Sequence, residues 1–133
     1  MTRKNNLTGN IDLQSSFLQT FEREYRPWGS YLILCKETGY QVKHIVVDPE
    51  QRLSLQLHHH RDEHWVIVKG VGVVTLEEEV FTLSRNERIY IPKMARHRIQ
   101  NRESTSLEFI EVQTGDYLEE DDIDRFDDDY GRV

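Results

Sequence analysis

Between Ser30 and Gln113 the chain is a succession of short segments rich in β-branched and aromatic residues, each closed by turn residues and none long enough to read as a helix. This spacing limits the fold more than any other feature. Strands are predicted at about 30–36, 40–47, 52–59, 64–69, 71–77, 80–83, 88–91, 97–101 and 106–113, separated by turns such as Thr38-Gly39, Asp48-Pro49-Glu50 and Pro92-Lys93. Short strands so closely spaced, with no helical interval, predict an all-β sandwich or barrel. Ahead of them Leu13, Phe17, Phe21 and Tyr25 recur at every fourth position, which allows either one apolar edge of a helix or an arm laid over a neighbouring surface.

With 133 residues the chain suits one domain. No apolar run approaches the roughly 20 residues of a membrane span, the first ten residues lack the apolar stretch of a secretion signal, and the single Cys35 cannot close an internal disulfide. A cytoplasmic protein is expected. The formal charge of -7 resides in one place, because 116–133 holds nine acids and two arginines while the remainder balances. A neutral body with an acidic tail does not fit nucleic-acid binding, which needs a basic face, but a few cations suffice for a small anion. Taken alone, an acidic run reads as a solvated, partly ordered extension.

The run from Arg52 to Trp65 holds four of the six histidines. Strand alternation sends Leu53, Leu55 and Leu57 to one side and Ser54, Gln56 and His58 to the other, with His60 on the side of His58 if the strand continues. Glu63 follows across a tight turn, and His97 stands at the start of a later strand. Imidazoles and a carboxylate gathered from separate segments suit a divalent transition metal.

These residues resemble the two motifs of the cupin superfamily, small jelly-roll β-barrels with a metal inside. Glu63, six residues and Gly70 match the second half of the first motif, and Asn86, Pro92, Met94, His97 and Asn101 match the spacing of the second. Asn86 and Met94 replace its two glycines, and Met tolerates a glycine-type turn poorly, so the local turn is expected to differ. In the first motif, His58 and His60 leave two residues before Glu63, whereas Gln56 and His58 leave four, as the pattern requires. The resemblance therefore implies the ligand set Gln56, His58, Glu63 and His97, with His60 as the alternative to Gln56, since strand alternation allows either.

A closer resemblance is to the C-terminal domain of type II phosphomannose isomerase/mannose-1-phosphate guanylyltransferases. It is carried by Arg26-Pro27-Trp28-Gly29-Ser30-Tyr31, by Leu53 to Trp65, by Tyr90-Ile91-Pro92 with His97, by Ile110 to Gly115, by Asp121-Asp122-Ile123 and by Tyr130-Gly131-Arg132. It implies a cupin barrel over 26–115, an arm over 1–25, and a tail over 116–133 partly packed on the barrel. It also implies metal-dependent interconversion of mannose 6-phosphate and fructose 6-phosphate, leading to GDP-mannose, with zinc or manganese as the metal. Guanylyltransfer is not expected, because no glycine-rich phosphate loop is found.

For the proton transfer the candidates are Glu111, which shares a strand face with Phe109 and Gln113, and His60. An acid pointing into a barrel is unusual without a use. For the phosphate they are Lys43, Arg61 and Arg98, with Arg26 and Trp28 at the rim. The partner is then a small sugar phosphate, with no membrane or nucleic acid, and the chain is expected to pair as a homodimer. Two other classes compete: a non-catalytic sugar-phosphate-binding cupin, and another cupin enzyme such as an iron-dependent oxygenase. Fold alone does not choose among them.

Overall fold

The computed structural model describes residues 20–133. Among the described residues eleven strands form: β1 (Glu24–Arg26), β2 (Gly29–Glu37), β3 (Tyr40–Val47), β4 (Leu55–Leu57), β5 (Arg61–Lys69), β6 (Gly72–Leu76), β7 (Glu79–Leu83), β8 (Arg88–Ile91), β9 (His97–Gln100), β10 (Leu107–Gly115) and β11 (Asp124–Asp127). They lie in a six-stranded sheet, β1-β2-β3-β10-β5-β8, and a five-stranded sheet, β11-β4-β9-β6-β7. The two antiparallel sheets face each other as a jelly roll, the fold expected. Among the described residues no helix is long and apolar enough to cross a membrane.

The alternating burial of β3 and β10 follows from the period of a strand. What positions the site is a second pattern, along each strand rather than across it. On the inward face β10 presents Leu107 and Phe109 and then Glu111 and Gln113; β3 presents Val47 and Ile45 and then Lys43 and Gln41; β5 presents Ile67 and Trp65 and then Glu63 and Arg61. The register brings like ends together, pairing Phe109 with Ile45 and Ile67, and Glu111 with Lys43 and Trp65. One half of the barrel is thus a packed apolar core and the other a polar chamber.

The core also takes Val74, Leu83, Ile91 and Ile99 from the flanking strands, each such buried side chain stabilising the fold by roughly 1.5–3 kcal/mol. Asn101, fully buried, donates from Nδ2 to the carbonyls of Val47, Asp48 and Thr105. It thereby ties the end of β3 to the loop between β9 and β10.

Several boundaries differ from expectation. The strand predicted over 52–59 contracts to β4 with one isolated bridge from Arg52 to Gln100. Beyond Leu57 the backbone bends, because the Asp122 carboxylate accepts from the amides of His59 and His60 and draws them out of line. Met94 adopts φ 71° and Asn86 φ 76°, so the glycine-type turn is retained where a different one was expected. The Met94 amide donates to the His58 carbonyl at 2.7 Å, which helps hold it there. The helical edge predicted through Leu13 and Phe17 lies outside the described residues, and Tyr25 stands in β1, exposed.

After Gly115 the acidic segment folds back on the barrel. Leu118 is buried, and β11 pairs with β4, setting Arg125 opposite Gln56. Lys36–Glu119, Arg52–Asp129 and Arg98–Asp127 ion pairs lie along the seam at 3.4, 2.7 and 3.0 Å. Exposed pairs contribute little singly; the strand pairing and the buried Leu118 carry more.

Candidate metal centre

His58 follows β4, Glu63 lies on β5 and His97 opens β9, so both sheets contribute. One donor atom from each of the three lies within 4.8 Å of the others, and all three residues are buried. His58 Nε2 stands 3.3 Å from Glu63 Oε2, and the two imidazole centres are 5.1 Å apart.

Each imidazole is oriented from behind. His58 Nδ1 lies 2.7 Å from the Asp122 carbonyl oxygen and His97 Nδ1 2.9 Å from that of Ala95. A carbonyl can only accept, so Nδ1 carries the proton in both rings and Nε2 presents its lone pair. Burial pushes His58 down to about 4 and lowers His97 as well. For Glu63 burial acts upward, but Arg61, then His58 and His97, outweigh it and bring the carboxyl down to about 2. Two neutral imidazoles and an ionised carboxylate are the protonation states that a metal requires. The donor set fits a divalent transition ion.

Gln56 faces the same chamber, directly opposite His97 in register. Its amide nitrogen donates to the Ser54 carbonyl at 3.3 Å, which leaves the carbonyl oxygen as the group able to meet a cation. His60 does not join the cluster. The strand alternation that would have aligned it with His58 ends at the bend, and His60 is exposed, its ring edge-on to Tyr117 at 5.8 Å. His59 is likewise outside, bonded to Asp124.

Glu111 stands on the opposing wall, buried, beside Lys43 in the register. Burial first, and the Glu63 charge second, push its carboxyl up to about 7, and Gln113 Nε2 donates to its Oε2. The three cations nominated from sequence all reach the pocket wall, each already matched to an acid. Lys43 bonds Glu120 and stands 4.3 Å over the Tyr31 ring. Arg61 donates from Nε to Glu63 at 2.8 Å, with Nη2 3.3 Å from His58 Nε2, and Arg98 Nη1 meets Asp127 at 3.0 Å.

The chamber together with the open solvent at its mouth encloses about 640 Å³. Glu120, Ile123, Arg125 and Arg132 of the acidic segment line it beside Arg26, Trp28 and Tyr31. Sequence reading assigned none of these tail residues to the site. The available signal was two arginines within a stretch otherwise dominated by acids.

The family described as "Mannose-6-phosphate isomerase C-terminal" matches residues 14–128. The chain belongs to that family. It is 55% identical over 109 residues to the alginate biosynthesis protein AlgA of Pseudomonas putida, covering 82% of this chain and 22% of AlgA. It is 53% identical to the mannose-1-phosphate guanylyltransferase ManC of Salmonella typhimurium, covering 82% of this chain and 23% of that protein. The chain thus spans less than a quarter of the length of these curated relatives.

Among solved structures, the capsular polysaccharide assembling protein CapF of Staphylococcus aureus superposes with a TM-score of 0.71 at 20% identity, over 80% of this chain and 34% of CapF. A sugar phosphate isomerase of the cupin superfamily from Silicibacter pomeroyi superposes with a TM-score of 0.61 at 18% identity, over 71% of each chain. At these identities the likeness concerns the fold, which is the cupin fold.

Proposed function

We propose that the chain is a metal-dependent isomerase interconverting mannose 6-phosphate and fructose 6-phosphate, a cytoplasmic reaction that supplies GDP-mannose synthesis. The observation that carries this reading is a buried carboxyl near neutrality, Glu111, on the wall opposite a His-Glu-His cluster in a chamber rich in cations. Family membership and the AlgA and ManC relatives support the substrate class.

His58, Glu63 and His97, with Gln56 beside them, would hold zinc or manganese, which when bound supplies Lewis-acid polarisation of the sugar oxygens. The remaining work falls to the chain's own side chains. Glu111 as carboxylate takes the C2 proton of the open-chain aldose, while the aldehyde oxygen gains a proton from solvent at the open mouth, giving an enediol. Return of the proton from Glu111 to C1, with the proton on the C2 oxygen released to solvent, gives the ketose. A base tuned toward neutrality suits both halves, since it must accept and then release one proton. Lys43, beside Glu111 in register, and Arg61, beside Glu63, contribute positive charge where the enediol oxygens become electron-rich. Trp28 and Tyr31 supply the aromatic part of the chamber wall.

The test is a coupled assay on mannose 6-phosphate after chelation and metal add-back. Turnover restored by zinc or manganese is expected. If zinc, manganese and cobalt all fail while fructose 6-phosphate still binds, the domain is a sugar-phosphate-binding cupin and not an isomerase. Static light scattering tests the homodimer: a mass near 15.9 kDa would mean a monomer.

A further inference from the structure

Six cationic side chains line the chamber, and their pairing is unequal. Lys43 is matched to Glu120, Arg61 to Glu63, Arg98 to Asp127, Arg132 to Asp128 and, at 3.6 Å, Arg26 to Glu24. Arg125 has no ion-pair partner among the described residues, and its Nε is buried with no hydrogen bond at all. Desolvation, and then the charge of Arg132, press its guanidinium down from the ordinary value; Asp128 and Glu120 oppose this without forming an ion pair with it, and Arg26 adds to it. A half-buried guanidinium with a buried, unbonded Nε and two other arginines nearby is costly unless an anion completes it.

The register says where that anion would sit. Arg125 on β11 is the direct partner of Gln56 on β4, and Gln56 is the direct partner of His97 on β9. Residues directly opposite in antiparallel strands share a face, and all three line the chamber. They form one inward row that starts at a metal-ligating histidine and ends at the unpaired arginine. With neighbouring strands about 4.8 Å apart, the ends of the row are about 10 Å apart. That separation suits a molecule whose reacting carbons lie at one end and whose anionic group lies at the far end of a six-carbon chain.

We propose that Arg125 is the residue that receives the phosphate of the substrate, setting the distance between phosphate and metal through the row Arg125–Gln56–His97. The inference rests on the sugar-phosphate reading above and changes one part of it. Lys43, Arg61 and Arg98, the cations suggested by sequence, are each already paired with a carboxylate and serve the chamber's field and its architecture. Arg125 is the one left for an incoming dianion, through the planar fork that suits a phosphate. The acidic segment, whose net charge would repel such a ligand, is then the element that delivers its binding group.

The experiment is calorimetric titration of the metal-loaded protein with fructose 6-phosphate and, separately, with fructose, together with metal content and melting temperature. In Arg125→Gln the affinity for fructose 6-phosphate is expected to fall by about 10- to 100-fold, with metal content unchanged and KM raised far more than kcat is lowered. The weak response to fructose should not move. Full wild-type affinity for fructose 6-phosphate in this variant would overturn the proposal. If Arg125→Gln loses its metal, Arg125→Lys decides. A several-fold loss of fructose 6-phosphate affinity at full metal content supports the assignment, and wild-type affinity overturns it. Wild-type protein that binds fructose 6-phosphate without turning it over removes the isomerase reading and leaves the phosphate site standing. Wild-type protein that does not bind it removes both.

Discussion

The carbonyl oxygen of Asp122 lies 2.7 Å from Nδ1 of His58, so the acidic segment orients a histidine of the candidate metal centre from behind. The same residue uses its carboxylate to accept from the amides of His59 and His60, at 2.9 and 3.0 Å. Asp122→Ala removes those two charge-assisted bonds and frees the segment that carries the carbonyl. Stability should fall by about 2 kcal/mol, and metal affinity by about tenfold or more, as expected for a group that orients a ligand. Metal titration against a chromogenic chelator measures the second effect. Unchanged metal affinity in a destabilised variant would mean that His58 is oriented without Asp122.

The placement of Gln56 and His60 on opposite sides of the barrel wall makes their exchange as ligands a clean contrast. Gln56→Ala should weaken metal binding while leaving the three-residue cluster able to hold an ion. His60→Ala should leave metal content untouched, because the ring is exposed and its only bond described is through the backbone amide. His97→Ala should abolish stoichiometric metal. Loss of metal in His60→Ala would require a rearranged turn after His58.

How much of this was legible beforehand depends on the range of the interaction. Alternation within a strand located β2, β3, β5 and β10 and put Glu111 on the inward face, since a period of two is a local property. That His58, Glu63 and His97 form one cluster was readable from spacing. The fate of His60 was not, because the bend that expels it is imposed by Asp122, 62 residues away in sequence. Arg125 was invisible for the same reason: its meaning comes from standing opposite Gln56, and nothing local distinguishes it from an arginine on a solvated acidic tail.

Met94 occupies a left-handed backbone conformation that an L-residue adopts at a cost of roughly 1–2 kcal/mol. Its side chain is half exposed and has no part in the core. Met94→Gly removes that strain and adds unfolded-state entropy of roughly 0.5–1 kcal/mol. A net gain of up to about 1 kcal/mol follows, visible as a rise of several degrees in Tm. A lower Tm would mean that the methionine side chain contributes packing that outweighs its backbone strain.

Asp128 supplies a pH dependence of stability whose sign can be worked out. Its bonds to Arg132, including a bidentate contact at 2.7 and 2.9 Å, hold the carboxyl down at about 2 against an ordinary 3.8. The folded state therefore binds the proton less readily than the unfolded chain, so the stabilisation is complete above the ordinary value and is lost as pH falls toward 2. Asp128→Asn should be less stable than wild type by about 2 kcal/mol at pH 7. The difference should shrink between pH 5 and pH 2 in parallel denaturant titrations. A difference that persists unchanged at pH 2 would assign it to packing and not to the charge.

Glu111 gives the corresponding prediction for turnover. Its carboxyl is pushed up to about 7 by burial and by Glu63, so a large fraction is protonated at neutral pH in the metal-free site. Only the carboxylate can accept a proton, so kcat/KM should rise with pH along an acid limb. A bound cation favours the ionised form, which places the midpoint of that limb at or below about 7. Glu111→Gln keeps the shape and the neutral charge state but cannot accept a proton. It should lower kcat by a factor of about 10² or more while retaining metal and the affinity for fructose 6-phosphate. Solvent hydrogen exchange at C2 offers an independent readout, because abstraction there exchanges the proton even when net isomerisation is slow. Exchange that survives in Glu111→Gln at the wild-type rate would move the base elsewhere in the chamber.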